Sequence, residues 1–207
     1  MTKKYIIGFG TGRCGTKTLA SLLNGCKNVN VSHEFRERGD RDYRLSWKFN
    51  AKEARTRVEN LKKLEGNLVG DVAHYYLNYI PHLREKFGND IKFVNLFRPS
   101  EEVYNSFLRK TKKTHWIPKD HPKWKSHEPW TRTFPQYSDV TDNEHGLNNY
   151  LRDYYITSYT FGCIYTNQIF YIETKDLNKK EAQKRLFDFL EIPEEDRVYQ
   201  NLWENRS

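Results

Sequence analysis

Residues 5–18 read YIIGFGTGRCGTKT, and this stretch decides the fold class of the chain. Residues 5–9 are a short apolar run, which is typical of a strand buried on both faces of a parallel sheet. A glycine-rich turn follows at residues 10–15. From Thr16 onward the apolar residues recur at helical spacing, at Leu19, Leu22 and Leu23. The stretch therefore predicts a strand, a glycine-rich loop and a helix at the N-terminus.

Strands and helices alternate along the rest of the chain. We expect further strands at residues 29–31, 68–72, 91–97 and 169–173, and helices at residues 51–64, 76–87, 150–165 and 180–190, with another beginning at Ser100. This alternation predicts an α/β fold, a three-layer sandwich with a central, mainly parallel sheet. The length of 207 residues suits one domain, so residues 1–207 are expected to fold as a unit.

The segment at residues 110–149 departs from this pattern. It holds four of the seven prolines and three of the five tryptophans, with little periodicity. Such a segment predicts an ordered substrate or lid loop. Between Arg109 and Arg132 eight basic residues face two acidic ones, which accounts for most of the net charge of +8. A basic stripe attracts phosphate, sulfate or nucleic acid, although a solvated basic loop is the plainer interpretation.

The composition also bears on compartment and metal binding. No stretch approaches the roughly 20 apolar residues of a membrane helix, and the N-terminus lacks an apolar signal region. The three cysteines are scattered at Cys14, Cys26 and Cys163, which predicts neither a disulfide framework nor a zinc site. We therefore expect a cytoplasmic protein with no membrane partner and no metal. The sequence does not indicate an oligomeric state.

The glycine-rich loop has the composition of an anion site. Its backbone N–H groups can point inward, and the following helix adds its positive end. Its side chains add two cations and two hydroxyls, from Arg13, Lys17, Thr16 and Thr18. In the Walker A pattern a lysine directly follows the second glycine, whereas here Thr16 follows Gly15 and the lysine comes one place later. This departure weakens a kinase interpretation, and a tight turn without a ligand is the structural alternative.

The loop resembles the 5′-phosphosulfate loop of sulfotransferases that use 3′-phosphoadenosine 5′-phosphosulfate (PAPS). In that family a strand ends in a motif similar to [PG]-[KR]-[SC]-G-T-x-x-L. The matching residues here are Gly12, Arg13, Cys14, Gly15, Thr16, Lys17, Thr18 and Leu19. The resemblance implies a P-loop-like fold in which residues 12–18 bind PAPS. It also implies that Lys17 or Arg13 stabilises the leaving phosphate oxygen without a metal ion.

A second motif resembles the 3′-phosphate element of the same family. That element has an arginine at a strand end and a serine eight residues later in the next helix, which Arg98 and Ser106 match. The planar guanidinium of Arg98 can donate two parallel hydrogen bonds to a terminal phosphate. Taken singly, each residue could equally be an ordinary surface side chain.

A third, weaker resemblance covers residues 169–177 (IFYIETKDL), where Glu173 is expected to be structural. The Arg-Lys-Gly donor loop found near the C-terminus of the family has no visible counterpart. Either another basic segment takes its place, or the donor binds more weakly.

Transfer to an alcohol needs a base that takes the acceptor proton. In the branches of the family that this chain resembles, a carboxylate after the second strand is the base, which implies Glu34. His33 ranks second and His74 third. The structural alternative for Glu34 is an exposed acid paired with Arg36 or Arg38.

The resemblance implies a PAPS-dependent sulfotransferase that acts on a hydroxyl or amine acceptor and releases adenosine 3′,5′-bisphosphate. The expected partner is a small molecule or a saccharide, with carbohydrate mildly favoured. Tryptophans of the basic segment could stack on sugar rings or could pin the loop to the core; they are Trp116, Trp124 and Trp130.

Two other classes stay open on the sequence. An ATP-dependent small-molecule or nucleoside kinase of the P-loop class would use Asp71 as its candidate metal ligand. A basic nucleic-acid-binding protein would stack bases on the same tryptophans. Nucleic acid is the less favoured partner, because Arg13, Lys17 and Arg98 occupy loops, as a small anion site requires.

Overall fold

The computed structural model describes residues 3–35, 44–110, 131–137 and 143–202. Within them five strands form one sheet in the order β2-β3-β1-β4-β5, and all neighbouring strands are parallel. The strands are β1 (Lys4–Phe9), β2 (Val29–His33), β3 (Leu68–Val72), β4 (Ile91–Phe97) and β5 (Ile169–Glu173). The inner strand β3 is buried at every residue, because helices cover both of its faces.

Helices connect successive strands. The α-helices of the described residues are α1 (Thr16–Asn24), α2 (Ala51–Lys63), α3 (Ile80–Phe87), α4 (Ser100–Lys110), α5 (Asn143–Ile164) and α6 (Lys180–Phe189). Short 3₁₀ turns lie between these elements, at His74–Tyr79, Gly88–Asp90, Thr131–Thr133, Thr174–Asn178 and Glu194–Asp196.

The sheet separates two apolar layers. Side chains alternate along a strand, so Ile6 of β1 packs with α1 and α6, whereas Ile7 and Phe9 pack with α2, α3, α4 and α5 on the other face. The predicted three-layer α/β sandwich with a parallel sheet is thereby confirmed. In the part of the chain that the structure describes, no helix is both long and apolar enough to cross a membrane.

Two predicted helices differ from the structure. The helix expected over residues 76–87 begins as the 3₁₀ turn His74–Tyr79 and becomes α-helical only at Ile80. Pro81 stands in the first turn of α3, where its missing N–H removes no helical hydrogen bond. The proline therefore starts this helix and does not interrupt it.

The second difference concerns the segment expected to lack regular structure. Helix α5 begins at Asn143, seven residues before the predicted start. Residues 143–149 include glycine and asparagine, which favour helix weakly, but Leu147 is 1% exposed and extends the buried face formed by Tyr150 and Tyr154. Tertiary burial thus overrides local propensity. The tryptophans Trp116, Trp124 and Trp130 lie outside the described residues.

The carboxyl ends of the five strands meet at one edge of the sheet. After β1 the chain continues to β2, which lies on one side of β1 in the sheet. After β3 it continues to β4, which lies on the other side of β1. Ligands of open parallel sheets bind where such connections diverge. The glycine-rich loop, Glu34, His74, Arg98 and Thr174 all follow strand ends at this edge.

Candidate active site

The glycine-rich loop at residues 10–15 depends on glycines. Gly12 and Gly15 adopt positive φ angles of 78° and 85°, which residues with a Cβ rarely adopt. A Cβ on Gly10 would lie 2.5 Å from Cys14 Sγ and 2.6 Å from the Leu96 carbonyl oxygen. Gly15 is left-handed and precedes helical Thr16, a geometry that turns successive N–H groups toward one side. The loop therefore has the backbone of an anion cradle.

Two motifs that are far apart in the sequence meet beside this loop. Arg13 Nε donates to Ser106 Oγ at 3.2 Å, and Arg98 Nη1 donates to the Arg13 carbonyl oxygen at 2.9 Å. Arg98 Nε also donates to Glu102 Oε2 at 2.9 Å. Arg98 directly follows β4, and Ser106, which is 4% exposed, lies on α4. The structure thus places the two arginines and the serine in one cluster.

The cluster has a positive electrostatic character. Burial lowers the pKa of the Arg13 guanidinium, and the positive charges of Arg98 and Arg109 lower it further. An approaching anion stabilises a half-buried cation that neighbouring cations destabilise, because opposite charges attract. The electrostatics of the site therefore favour an anionic ligand.

The first turn of α1 supplies the remaining loop residues. Thr16 is partly buried, Lys17 is exposed and Thr18 is 7% exposed. Cys14 is fully buried, and burial raises the pKa of its thiol to about 11. A thiol of that pKa is protonated at neutral pH, so Cys14 packs the loop and is no nucleophile.

The predicted bases His33 and Glu34 lie at the end of β2. His33 Nε2 lies 3.1 Å from Thr16 Oγ1, so the imidazole contacts the loop. Glu34 is 8% exposed, has a φ of 58°, and donates its backbone N–H to the Val72 carbonyl oxygen. Its charge lies close enough to Tyr75 to contribute to the raised pKa of that phenol, which is mainly due to burial. Glu34 is thus a buried acid, unlike the exposed alternative considered above.

His74, the third predicted base, is embedded in an aromatic cluster. It is 3% exposed, its Nε2 lies 3.0 Å from Thr133 Oγ1, and its ring stacks on Phe134 with centroids 4.3 Å apart. A Cβ added to Gly12 would lie 3.7 Å from His74 Cβ. His74 therefore borders the loop and ties it to residues 131–134, which belong to the predicted acceptor segment.

Asp71, the residue a kinase would need for its metal, is already hydrogen-bonded. Oδ1 accepts from Ser32 Oγ at 2.7 Å and from the Phe35 N–H at 2.9 Å. Oδ2 accepts from Arg57 at 3.0 Å and from Tyr76 at 2.7 Å. Asp71 is 0% exposed and Arg57 2% exposed. This buried ion pair fixes the turn that carries Glu34.

Four residues that the sequence analysis did not single out hold the site together. Tyrosines of α5 donate to backbone carbonyl groups at three strand ends. Tyr150 bonds Thr11 at 2.7 Å, Tyr154 bonds His74 at 3.1 Å, and Tyr155 bonds Arg98 at 2.6 Å.

The fourth is Thr174, which directly follows β5. Its hydroxyl lies 2.7 Å from the Cys14 carbonyl oxygen and 3.1 Å from that of Phe97. Glu173, expected to be structural, pairs with Lys175 at 2.8 Å.

The three α5 tyrosines have one signal in the sequence, their spacing on a predicted helix. No local sequence pattern shows which backbone carbonyl groups their hydroxyls contact.

Across the described ranges, no three His, Cys, Asp or Glu side chains converge in a group that could hold a metal ion.

A similar fold occurs in the crystal structure of a sulfotransferase from Alicyclobacillus acidocaldarius. The alignment covers 100% of this chain and 87% of that chain, with 12% sequence identity and a TM-score of 0.56. Identity this low shows a shared fold. No protein-family model and no curated protein matches the sequence.

Proposed function

We propose that this protein transfers a sulfuryl group from PAPS to a hydroxyl or amine acceptor. The observation that carries the proposal is the cluster of Arg13, Arg98 and Ser106 beside the glycine-rich loop. PAPS has two anionic ends, a 5′-phosphosulfate and a 3′-phosphate. The cluster and the loop offer two adjoining anion sites at one edge of the sheet. The similar fold of the Alicyclobacillus acidocaldarius sulfotransferase supports the same conclusion.

The loop suits the 5′ end of the donor. Its N–H groups, the positive end of α1 and the hydroxyls of Thr16 and Thr18 are hydrogen-bond donors for phosphate oxygens. Arg13 and Lys17 add positive charge where the leaving phosphate oxygen gains negative charge.

The 3′-phosphate would bind Arg98 and Ser106. To bind it, Arg98 would exchange Glu102 for phosphate oxygens, while its Nη1 keeps the hydrogen bond to the Arg13 carbonyl oxygen. The Arg98–Glu102 pair is partly exposed, so breaking it costs about 0–1 kcal/mol. A charge-assisted bond to phosphate contributes about 1.5–3 kcal/mol, so the exchange is favourable.

The reaction breaks the bond between sulfur and the bridging phosphate oxygen and forms one between sulfur and the acceptor oxygen or nitrogen. The acceptor proton passes to a base. Glu34 is our first candidate, since it is a carboxylate directly after β2 and the buried Asp71 network holds the backbone of the next residue, Phe35. His33 is the alternative, because its ring already contacts Thr16 of the loop.

The described residues support the kinase alternative no better. Asp71, its candidate metal ligand, accepts two hydrogen bonds at each carboxylate oxygen, from Ser32, Phe35, Arg57 and Tyr76. The three tryptophans and most of the basic residues on which a nucleic-acid-binding function depended lie at residues 111–130, outside the described residues.

Ligand discrimination by thermal unfolding tests the proposal. Adenosine 3′,5′-bisphosphate at about one hundred times its dissociation constant should stabilise the protein by about 2.7 kcal/mol, which raises the melting temperature by roughly 5–10 °C. ATP with magnesium should raise it much less, because ATP has no 3′-phosphate for Arg98. Equal shifts, or binding that requires magnesium, would favour the kinase.

A further inference from the structure

One face of helix α4 meets the arginines of the donor site. Glu102 on this face accepts from Arg98 Nε at 2.9 Å, and the Ser106 hydroxyl accepts from Arg13 Nε at 3.2 Å. Glu102 and Ser106 are four residues apart, so they lie one above the other on the helix. The same face continues three residues after Ser106 with Arg109. Arg109 belongs to neither of the motifs assigned to the donor.

The helical spacing places Arg109 beside this cluster. Positions i, i+4 and i+7 follow one stripe of an α-helix, and side chains three residues apart have Cβ atoms about 5–6 Å apart. Arg109 therefore lies one turn beyond the hydroxyl that Arg13 contacts. The electrostatics agree with this position. Burial is the main cause of the lowered pKa of the Arg13 guanidinium, and the nearby charges of Arg98 and Arg109 lower that pKa further.

The guanidinium of Arg109 is exposed and has no counterion. Across the described part of the chain, no acidic side chain or carbonyl group pairs with it. Arg98, in contrast, pairs with Glu102. Because like charges repel, an unpaired cation next to Arg13 and Arg98 gains no folding free energy from its neighbours. An anion bound between these arginines removes the repulsion.

A 3′-phosphate has the charge that this arrangement requires. A phosphate monoester carries about two negative charges at neutral pH. Arg98 supplies one positive charge once it releases Glu102. The two cations of the glycine-rich loop are assigned to the 5′ end of the donor, so a second cation for the 3′ end has to come from another element. Arg109 is an unpaired cation one helical turn from Ser106.

We infer that Arg109 binds the 3′-phosphate of the donor together with Arg98 and Ser106, and that it makes the protein select nucleotides that carry this group. The inference rests on the proposed function, which it extends by naming a residue that determines donor specificity. Arg98 approaches the phosphate from the end of β4, and Arg109 approaches it from the last turn of α4.

Calorimetric titration of the full chain with adenosine 3′,5′-bisphosphate and adenosine 5′-phosphate tests the inference. Arg109→Ala should bind the bisphosphate about tenfold more weakly, the effect of losing one charge-assisted hydrogen bond, and the 5′-phosphate within about twofold of the wild type. Arg109→Lys keeps the charge but loses the paired N–H donors, so its loss of affinity should be smaller, about threefold.

Arg185→Ala is the matched control. It removes an exposed arginine from α6, which packs on the opposite face of the sheet from α4, and should change neither affinity by more than about twofold. Arg109 is exposed, so both of its variants should fold, and thermal unfolding without nucleotide measures this.

Two results would overturn the inference. Equal weakening of both nucleotides by Arg109→Ala would mean that the charge acts on the whole ligand and not on the 3′-phosphate. Lower stability with unchanged affinity for the bisphosphate would mean that Arg109 only interacts with the negative end of the α4 dipole.

Failure of this inference differs from failure of the proposed function. If the wild type binds the bisphosphate and Arg98→Ala weakens that binding while Arg109→Ala does not, the donor proposal stands and Arg109 has no part in the site. If the wild type does not bind the bisphosphate, both proposals fail.

Discussion

Three residues near the glycine-rich loop adopt a backbone conformation that is unfavourable for side chains with a Cβ. Arg13, Glu34 and Phe35 have φ angles of 55°, 58° and 37°. Each such residue costs on the order of 1–3 kcal/mol and persists only where surrounding contacts hold it. Arg13 is held by Ser106 and Arg98, and the Phe35 N–H by Asp71. Of the five non-glycine residues with positive φ in the described ranges, Arg13 and Glu34 are thus residues to which we assign donor binding and catalysis, whereas Asn28 and Glu191 lie away from the loop.

Glu34→Gln tests the assignment of the base. Glutamine keeps the size of the side chain but cannot take a proton, so the rate of sulfuryl transfer should fall roughly 10²–10⁴-fold. Donor affinity should stay within about twofold, because we assign donor binding to Arg13, Lys17 and Arg98. The measurement is the transfer rate at saturating PAPS, together with the dissociation constant of adenosine 3′,5′-bisphosphate.

Two outcomes would speak against Glu34. Weaker donor binding without a rate defect would make it part of the scaffold of the loop. Loss of turnover in His33→Ala, with donor binding intact and Glu34→Gln active, would make the neighbouring imidazole the base.

At the scale of elements, helix α5 connects the predicted acceptor segment to three strand ends. Its tyrosine hydroxyls reach carbonyl groups that follow β1, β3 and β4. Tyr150 and Thr11 are 139 residues apart in the chain, so no local pattern could have shown this contact. Helix α5 thus contacts the glycine-rich loop and the segments that follow β3 and β4.

Tyr150→Phe tests this role of the helix. The change leaves the buried Thr11 carbonyl oxygen without its donor, so the free energy of unfolding should fall by about 1–3 kcal/mol. Affinity for adenosine 3′,5′-bisphosphate should also fall severalfold, because the loop loses a contact. Tyr159→Phe is the control, since Tyr159 is 70% exposed on the same helix and should change stability by less than about 0.5 kcal/mol. Urea unfolding and calorimetry give both quantities, and equal effects of the two variants would contradict the role.

The sequence predicted the elements better than their contacts. The strands could be recognised because apolar runs bounded by turn residues are local signals. Arg98 and Ser106 could be singled out because both lie within one motif of nine residues, and their role in donor binding stays a prediction. Thr174 and the α5 tyrosines were missed because their partners lie on distant segments. The early start of α5 was missed because Leu147 is buried by tertiary contacts that propensity does not record.

At the scale of the whole molecule, the apolar layer on one face of the sheet is rich in buried tyrosines. Burial raises the pKa of four phenols well above the ordinary value of 10, at Tyr75, Tyr76, Tyr150 and Tyr154. Burial also raises the pKa of the Tyr155 phenol to about 12. In the folded protein these groups keep their protons at a pH where the unfolded chain releases them.

Alkaline unfolding follows from this difference. Above about pH 10 the unfolded state binds fewer protons than the folded state, so the free energy of unfolding falls as the pH rises. Each buried tyrosine lowers the free energy of unfolding by up to about 1.4 kcal/mol per pH unit above pH 10, so four lower it by on the order of 5 kcal/mol per pH unit. Urea unfolding at about pH 8, 10 and 11, with tyrosinate absorbance recorded in parallel, measures the effect. Constant stability up to about pH 11 would show that these phenols are not buried as described.

The proposed donor site is tested most directly by the dissociation constants of two nucleotides for the wild type and for Arg98→Ala, measured by calorimetric titration. We predict that the variant binds adenosine 3′,5′-bisphosphate about 10–150-fold more weakly, the equivalent of about 1.5–3 kcal/mol. Adenosine 5′-phosphate, which lacks the 3′ group, should bind both proteins within about twofold. If the variant weakens both nucleotides equally, Arg98 supports the Arg13 backbone and binds no 3′-phosphate, which contradicts the proposed donor site.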